Sequence, residues 1–268
     1  MAVDGARALR AAADARGLTE AIFIVPNRTD SGRNDWQPSL RKFAQETPGF
    51  EITDLRTVYA RPELYFFSLE FDRLIKTDLT NSQNLFNMHF SLLPEYKGMS
   101  TSVWPLIHGR TESGVTLHRI LRGIDTGPII GSQRFDIEPD DTARDLYLKY
   151  IAHGTDLFET MVGRLLDGDY ETKPQSAIGS SYYGKSDIDY SAPLTDLHKT
   201  AFELRNRIRA FTFPEYQLVI IDGLQVHTSE ISNDQSASAP GTILLREYGV
   251  RRIATIDFDL MLRGAELQ

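Results

Sequence analysis

A short apolar segment that ends in two polar residues constrains this chain more than any other feature. Residues 85–89 read Leu-Phe-Asn-Met-His, a buried-strand pattern that stops before Pro94 and Gly98. Asn87 and His89 are two positions apart, so both side chains lie on one face of the strand. Open α/β sheets place their ligand sites at such strand ends. The segment therefore predicts an α/β sheet with a polar site at its edge.

A second loop supplies a carboxylate, Asp125, within Gly-Ile-Asp-Thr-Gly-Pro. An amide N–H stabilises an oxygen that gains negative charge, an imidazole accepts a proton, and a carboxylate orients the imidazole. Together they suit acyl transfer to a nucleophile that the substrate supplies, and a thiol mechanism is excluded because the chain has no cysteine. Asn-x-His alone is a weak signal, and Asp-x-Gly alone is usually a turn.

The longer string that contains these residues resembles the signature of the N10-formyltetrahydrofolate-dependent formyltransferases. It comprises Asn-Met-His-Phe-Ser-Leu-Leu-Pro at 87–94, Tyr-Lys-Gly at 96–98, Gly-Val-Thr at 114–116 and Gly-Ile-Asp-Thr-Gly at 123–127. The family includes methionyl-tRNA formyltransferase, glycinamide ribonucleotide transformylase and the sugar N-formyltransferases. The resemblance covers roughly residues 20–170. It implies catalytic roles for Asn87, His89 and Asp125, N10-formyltetrahydrofolate as co-substrate, and no metal.

Strand and helix candidates alternate through residue 90, which predicts a doubly wound, mostly parallel, Rossmann-like α/β sheet. Further apolar runs predict strands at 21–25, 64–67, 115–121 and 129–135, and helices at 5–16, 38–45, 71–75 and 142–166. The family's fold opens with a strand before its first helix, whereas only Met1–Val3 precede that helix here. The sequence leaves open whether this strand is absent or lies upstream.

The character of the chain changes after about Asp169, so residues 1–175 are predicted to form the catalytic domain and residues 176–268 a small β-rich substrate-binding and dimerisation subdomain. A helix is predicted at 194–210, followed by short strands at 216–221, 224–228, 241–245 and 251–257. Asp222-Gly223 is a strong hairpin signal between the first two of these strands.

The amino-acid composition limits the kinds of partner that the protein is expected to bind. The net charge is −8, and residues 176–268 hold nine Lys and Arg against twelve Asp and Glu, which argues against a nucleic-acid partner. No apolar run approaches the ~20 residues of a membrane span, and no secretory leader is visible. These features and the lack of cysteine predict a cytoplasmic protein. The other five histidines, His118 among them, lack metal-ligand spacing and are interpreted as structural or exposed.

The resemblance extends to ligand-binding residues. Phe67, Ser68 and Leu69 match a loop that borders the family's pterin pocket, and Ile124 could wall the same pocket. Met99 and Thr101 match the region that faces the acceptor. Residues 181–185 and 208–217 resemble C-terminal segments of enzymes that formylate nucleotide-linked amino sugars. Tyr182 and Tyr183 are therefore expected near a base, with Lys185 or Arg209 near a diphosphate. Read singly, most of these residues also fit an ordinary strand exit or loop.

The resulting hypothesis is a homodimeric N-formyltransferase that acts on dTDP-4-amino-4,6-dideoxyglucose in O-antigen or other glycan biosynthesis, its substrates being a folate and a nucleotide sugar. Its dimer contact is expected after about Phe213. The alternatives are methionyl-tRNA formyltransferase, a formyltetrahydrofolate hydrolase, and a folate- or nucleotide-binding protein without turnover. The first needs an RNA-binding tail, and the second typically carries an N-terminal regulatory domain.

Overall fold

A computed structural model describes residues 1–194 and 196–267 of the chain. It divides into two compact units. The first comprises Met1–Gly98, Gly114–Arg134 and Tyr150–Tyr182, and the second comprises Met99–Ser113, Phe135–Lys149 and Tyr183–Gln268. The predicted domain boundary at 175/176 stays a prediction. Within the described part of the chain, the model contains no helix that combines the length and apolarity needed to cross a membrane.

The bounds of the regular elements are as follows. The helices are α1 (Ala2–Asp14), α2 (Leu40–Glu46), α3 (Leu55–Tyr59), α4 (Trp104–Ile107), α5 (Ala143–Asp167) and α6 (Ala201–Ala210). The strands are β1 (Ile22–Ile24), β2 (Phe50–Ile52), β3 (Tyr65–Leu69), β4 (Asn84–His89), β5 (Lys97–Gly98), β6 (Glu112–Arg119), β7 (Ile129–Asp136), β8 (Tyr182–Tyr183), β9 (Val219–Ile221), β10 (Leu224–Ile231), β11 (Ile243–Glu247), β12 (Val250–Ile253) and β13 (Leu260–Glu266).

The sheet that carries the first unit has the strand order β3-β4-β6-β7. Strand β4 pairs in parallel with β3 and antiparallel with β6, and β1 and β2 form a separate parallel pair. Strand β4 is buried because Leu85, Phe86 and Met88 are all less than 5% exposed, and Phe86 packs against Phe67. The predicted α/β class is confirmed. The antiparallel pairing of β4 with β6 departs from the mostly parallel sheet that the sequence predicts.

The second unit contains an antiparallel sheet of order β11-β12-β13-β10-β9. Its hairpin turn is Asp222-Gly223, and both residues have positive φ (48° and 75°), the conformation that a tight two-residue turn requires. Apolar side chains of the sheet and of α6, including Leu204 and Leu224, are almost fully buried. The predicted β-rich subdomain and its hairpin are confirmed.

Several sequence predictions were wrong in detail. Residues 71–75 are not helical; Phe71 and Ile75 instead pack as single side chains against the cluster around Val58. Helix α6 begins at Ala201 rather than at 194, because Thr200 and Glu203 form a capping box that fixes its first turn. Position 195 lies outside the described residues. The short elements β2, α3, α4 and β13 were not predicted.

Candidate active site

Strand β4 brings Asn87 and His89 to its C-terminal end on the same face. Parallel pairing sets Asn87 opposite Ser68 of β3, and antiparallel pairing sets it opposite His118 of β6. Residues directly opposite in an antiparallel pair have side chains in contact range. Register, rather than loop flexibility, therefore fixes the position of the polar pair.

The His89 ring is held from one side by the backbone. His89 Nε2 lies 2.8 Å from the carbonyl oxygen of Tyr96, which can only accept, so Nε2 carries a proton and donates it. In the neutral ring Nδ1 then keeps its lone pair, and it lies 3.5 Å from Oδ2 of Asp125. Only 6% of His89 is exposed. The ring is thus oriented with its basic nitrogen beside the carboxylate.

The Asn87 amide is oriented by His118. His118 Nδ1 lies 2.8 Å from the carbonyl of Arg119, so Nδ1 donates and Nε2 is left as an acceptor. Asn87 Nδ2 lies 3.1 Å from that Nε2 and 3.4 Å from Oδ1 of Asp125. The second hydrogen bond is long and therefore weak. Asn87 therefore has one firmly held N–H and one weakly bonded N–H that is available to another acceptor.

The Asp125 carboxylate is placed by its backbone and by the loop around it. Asp125 adopts positive φ (51°), which aspartate tolerates, and its Oδ2 accepts from the Gly98 N–H at 2.9 Å. Gly127 has no room for a side chain, because a Cβ there would lie 1.7 Å from the carbonyl oxygen of Arg119. Gln175 Nε2 donates to the carbonyls of Asp125 (2.8 Å) and Gly127 (2.7 Å). The loop is therefore fixed from both ends.

The charge states of His89 and Asp125 follow from their burial and from the groups beside them. Burial lowers the pKa of His89 below its ordinary value, against the raising influence of Asp125 and the Tyr96 carbonyl. Burial alone would raise the pKa of Asp125, but His118, His89 and the Gly98 N–H together outweigh it and lower that pKa to about 2. Near pH 7 the site therefore holds a neutral imidazole beside an ionised carboxylate.

Two residues of this site escaped the sequence analysis. His118, interpreted from sequence as structural or exposed, is 2% exposed and contacts both Asn87 and Asp125. The signal that could have found it is register, because antiparallel pairing of 115–121 with 85–89 sets the two side chains opposite. Gln175 is the last residue of the segment 1–175 that the sequence assigns to the catalytic domain, and no local pattern marks it. Its Oε1 is buried and has no hydrogen-bond partner among the described residues.

The residues predicted to contact folate lie along the exit of β3 and in the Asp125 loop. The Phe67 ring stacks on Phe86 with centroids 5.4 Å apart and meets Phe158 edge-on, so its side chain belongs to the core. Ser68 is buried, whereas Leu69 and Ile124 are half-buried. For Phe67 and Ser68, a ligand contact would have to come from the backbone. These roles stay predictions.

The residues predicted to contact the acceptor differ in exposure. Met99 and Tyr182 are more than half exposed, Thr101 is half-buried, and Lys185 is exposed. Tyr183 is half-buried because one face of its ring stacks on Trp104, with centroids 4.2 Å apart. Burial also raises the pKa of the Tyr183 hydroxyl. Tyr182 therefore offers the freer ring for a base.

Arg209 lies in a different setting from Tyr183 and Lys185. It is only 8% exposed, and its Nε donates to Asn206 Oδ1 at 3.0 Å. Its Nη1 lies within 3.3 Å of the carbonyl oxygens of Glu138, Pro139 and Asp141. Among the described residues, no hydrogen bond or ion pair joins Arg209 to Tyr183 or Lys185. Two of its three nitrogens are thus engaged within the protein.

A metal centre has no candidate ligand cluster here. Among residues 1–194 and 196–267, no group of three or more His, Cys, Asp or Glu side chains is arranged to hold an ion. The groups that the site offers for chemistry are an amide, an imidazole and a carboxylate.

Comparison with known proteins identifies the family. The formyl transferase family model matches residues 59–162, which contain Asn87, His89 and Asp125. A methionyl-tRNA formyltransferase of Myxococcus xanthus (strain DK1622) is 30% identical over 241 residues, covering 85% of this chain and 76% of that protein.

Two solved structures are more similar in sequence. The N-formyltransferase from Helicobacter canadensis, in complex with folinic acid and dTDP-3-aminofucose, is 39% identical, with a TM-score of 0.82 over 90% of this chain and 88% of that one. WlaRD, a sugar 3N-formyl transferase determined in the presence of dTDP and 5-N-formyl-THF, is 40% identical, with a TM-score of 0.83 over 91% and 87%. This chain is therefore an enzyme that belongs to the N10-formyltetrahydrofolate-dependent formyltransferase family and resembles its sugar N-formyltransferases.

Proposed function

We propose that the enzyme transfers the formyl group of N10-formyltetrahydrofolate to the primary amine of a dTDP-linked amino-deoxy sugar. The observation that carries this proposal is the group around Asp125: an oriented neutral imidazole, an amide with a weakly held N–H, and an ionised carboxylate within 3.6 Å of both histidines. The ligands of the two more similar solved structures, a folate with dTDP or a dTDP-amino sugar, support the choice of substrates.

The proposed step begins when the neutral amine attacks the formyl carbon and forms a C–N bond. The carbonyl π electrons move to the formyl oxygen, which becomes an oxyanion. His89 Nδ1 accepts a proton from the amine, and the imidazolium is stabilised by Asp125, 3.5 Å away. The bond from the carbon to N10 then breaks, and N10 takes the proton to leave as tetrahydrofolate.

Asn87 would stabilise the oxyanion. Its N–H that makes the long 3.4 Å hydrogen bond to Asp125 is the donor available to the substrate oxygen, while His118 keeps the amide in place. A donor placed in advance of the reaction needs little reorganisation as charge develops. His118 thus acts through Asn87, as a positioning residue.

The proposal also concerns which carbon of the sugar carries the acceptor amine. The sequence predicts a 4-amino sugar, and that prediction stays untested. Of the two more similar solved structures, one is a complex with dTDP-3-aminofucose and the other is of a sugar 3N-formyl transferase. We therefore propose a dTDP-3-amino-deoxyhexose as the first acceptor to test, with the 4-amino isomer as its comparison.

A specific observation argues against each of the competing functions. Methionyl-tRNA is disfavoured by the acidic composition of residues 176–268, since an RNA-binding surface needs cationic excess. A hydrolase would use water in place of the amine, and a binding protein would not need the ionised Asp125 beside a neutral His89. Glycan biosynthesis and a cytoplasmic location stay predictions.

The function is tested by incubating the enzyme with N10-formyltetrahydrofolate and each acceptor in turn, with detection of the formamide by mass spectrometry. The proposal expects one formamide per tetrahydrofolate released with a dTDP-3-amino-deoxyhexose. Exclusive reaction of the 4-amino isomer would correct the amine position and keep the class. Tetrahydrofolate release that no acceptor accelerates would instead favour the hydrolase.

Gln175 is expected to position Asp125 for this reaction. Gln175→Leu removes both hydrogen bonds to the Asp125 loop, so kcat should fall about ten- to a hundredfold, the scale of a displacement near 1 Å. Gln175→Glu keeps the shape but replaces the donor with an acceptor, and should be at least as damaging. Glu171→Gln, an exposed change in the same segment, is the control. Equal kcat in Gln175→Leu and Glu171→Gln would reject the role.

Tyr182 is expected to stack on the acceptor's base. Tyr182→Ala should raise the KM for the acceptor by roughly ten- to a hundredfold, since base stacking contributes ~1–3 kcal/mol. If the contact serves ground and transition states alike, kcat should change little. Tyr182→Phe keeps the ring and should retain the normal KM. An unchanged KM in Tyr182→Ala would remove Tyr182 from the acceptor site.

A homodimer formed by residues after about Phe213 is also proposed. Large apolar side chains in that region are exposed, among them Tyr216 (69%), Ile220 (56%) and Tyr248 (92%). Light scattering at micromolar concentration should give twice the mass of one chain. Ile220→Glu introduces a charge on this surface and should yield monomers if Ile220 lies in the contact. A monomer mass for the unaltered enzyme would contradict the proposal.

A further inference from the structure

The second unit contains a cavity of about 440 Å³ for which the proposed reaction has no use. Helix α6, strands β10 and β13 and the segment 140–142 form its walls. None of Asn87, His89, Asp125, Tyr182 or Tyr183 lines it. Three arginines do: Arg205 and Arg209 from α6, and Arg263 from β13.

Arg209 is a buried cation without a carboxylate partner. Its Nε and Nη1 donate to the amide oxygen of Asn206 and to backbone carbonyls, which are neutral acceptors. Among the described residues it forms no ion pair, and its Nη2 makes no hydrogen bond. A buried charge is ordinarily paired, because removing it from water is costly. Arg209 therefore presents a free Nη2 donor at this cavity, and its charge is offset by the electrostatic attraction of Asp141 and Asp140 but by no carboxylate in direct contact.

The neighbouring cations increase the need for an anion at this cavity. Arg205 and Arg209 are four residues apart on one helix, an arrangement in which like charges repel. Asp140 partly neutralises Arg205 through an ion pair, and Arg205 Nε also donates to the Ser229 carbonyl. The side chain of Arg263 is exposed and makes no ion pair or hydrogen bond within the described chain. The one further acidic side chain that lines the cavity is Glu230, which is exposed.

A β-bulge adds a fourth potential donor. The pairing of β10 with β13 runs from Val226 opposite Gly264 to Thr228 opposite Arg263, so His227 is the extra, unpaired residue. Bulges redirect side chains and occur often beside functional sites. His227 is exposed and lines the cavity. The bulge thus brings an imidazole to the same cavity as the three guanidinium groups.

We infer that this cavity binds a phosphate group, held by Arg209 and Arg263 with Arg205 and His227 beside it. The planar fork of an arginine side chain matches the oxygens of phosphate, and a dianion would supply the directly bonded anionic partner that Arg209 lacks. The phosphate is either free inorganic phosphate or the phosphate of a thymidine nucleotide. The inference does not depend on formyl transfer, so its failure would leave the proposed function intact.

Isothermal titration calorimetry of the full chain with inorganic phosphate in low-salt buffer tests the inference. One saturable site is expected, weakened by added NaCl. Arg263→Gln, an exposed change that should fold normally, is expected to raise Kd about tenfold, the effect of losing one charged hydrogen bond. Arg205→Gln should also weaken binding. Arg164→Gln, an exposed arginine of the first unit, is the matched control and should leave Kd unchanged.

The same titration separates the two sources of phosphate. If free phosphate is the ligand, saturating dTDP leaves the Kd for phosphate unchanged. If the nucleotide is the ligand, dTDP abolishes phosphate binding, and Arg263→Gln weakens dTDP binding as well. No saturable phosphate binding to the unaltered protein would overturn the inference. Equal Kd values for Arg263→Gln, Arg205→Gln and Arg164→Gln would also overturn it.

Discussion

Asn87→Ala is expected to lower kcat by about 10²–10³-fold, the usual loss when one oxyanion donor is removed. The reason lies in the two contacts of the Asn87 amide. Its Nδ2 is held 3.1 Å from His118 Nε2, and its second N–H makes a hydrogen bond of 3.4 Å to Asp125. Alanine removes both donors and leaves the strand intact. The KM for the folate should change little, since the lost interaction forms mainly in the transition state.

The matched control for that experiment is Asn84→Ala. Asn84 begins the same strand, β4, but its side chain makes no hydrogen bond with His89 or Asp125. Its kcat should remain close to that of the unaltered enzyme, and the thermal midpoints of both variants show whether either change damages folding. Near-normal kcat in Asn87→Ala would remove Asn87 from the catalytic machinery.

Asp125→Asn should lower kcat on the same scale and also alter the pH profile. Burial lowers the pKa of His89, so its imidazole is neutral at pH 7 and the acidic limb of kcat lies below the ordinary histidine value of about 6.5. Protonation of His89 removes the base, so turnover falls as pH falls through that lowered pKa. The negative charge of Asp125 raises the pKa of His89, and asparagine removes that charge. The acidic limb should therefore move to lower pH as the maximum falls.

The pH shift separates a charge effect from general damage. A variant that only distorts the fold would lose kcat without moving the limb in this direction. Asp169→Asn removes an exposed carboxylate of the same unit and should change neither the maximum nor the limb. A limb that stays in place in Asp125→Asn, or moves to higher pH, would contradict the assigned interaction between Asp125 and His89.

The core of the site could be predicted from the sequence because its geometry is local. Spacing of two along a strand puts Asn87 and His89 on one face, and the Asp125 loop lies near them because β6 pairs with β4. The glycine at 127 is demanded by the carbonyl of Arg119, a contact between residues close in sequence. The pattern was sufficient for Asn87 and His89, which one strand relates, but it missed His118, which is set opposite Asn87 by strand pairing.

The rest could not be predicted because it depends on contacts between distant segments. Gln175 meets the Asp125 loop from 50 residues away through a flexible side chain, which no periodicity encodes. Arg209 was a candidate for binding a diphosphate, yet its guanidinium donates to backbone carbonyls of residues 138–141. The helix expected at 71–75 is absent, and Phe71 and Ile75 are partly buried as single side chains, so their packing overrides local propensity. Such cases need the tertiary structure.

The central claim, that the acceptor is a nucleotide-linked amino sugar, is tested most directly by competition. Limiting N10-formyltetrahydrofolate is offered to the enzyme with equal concentrations of methionyl-tRNA and a dTDP-3-amino-deoxyhexose, and both formylated products are quantified. We expect nearly all of the formyl group on the sugar, because the acidic segment 176–268 gives tRNA little electrostatic attraction. Formyl-methionyl-tRNA as the main product would contradict this account.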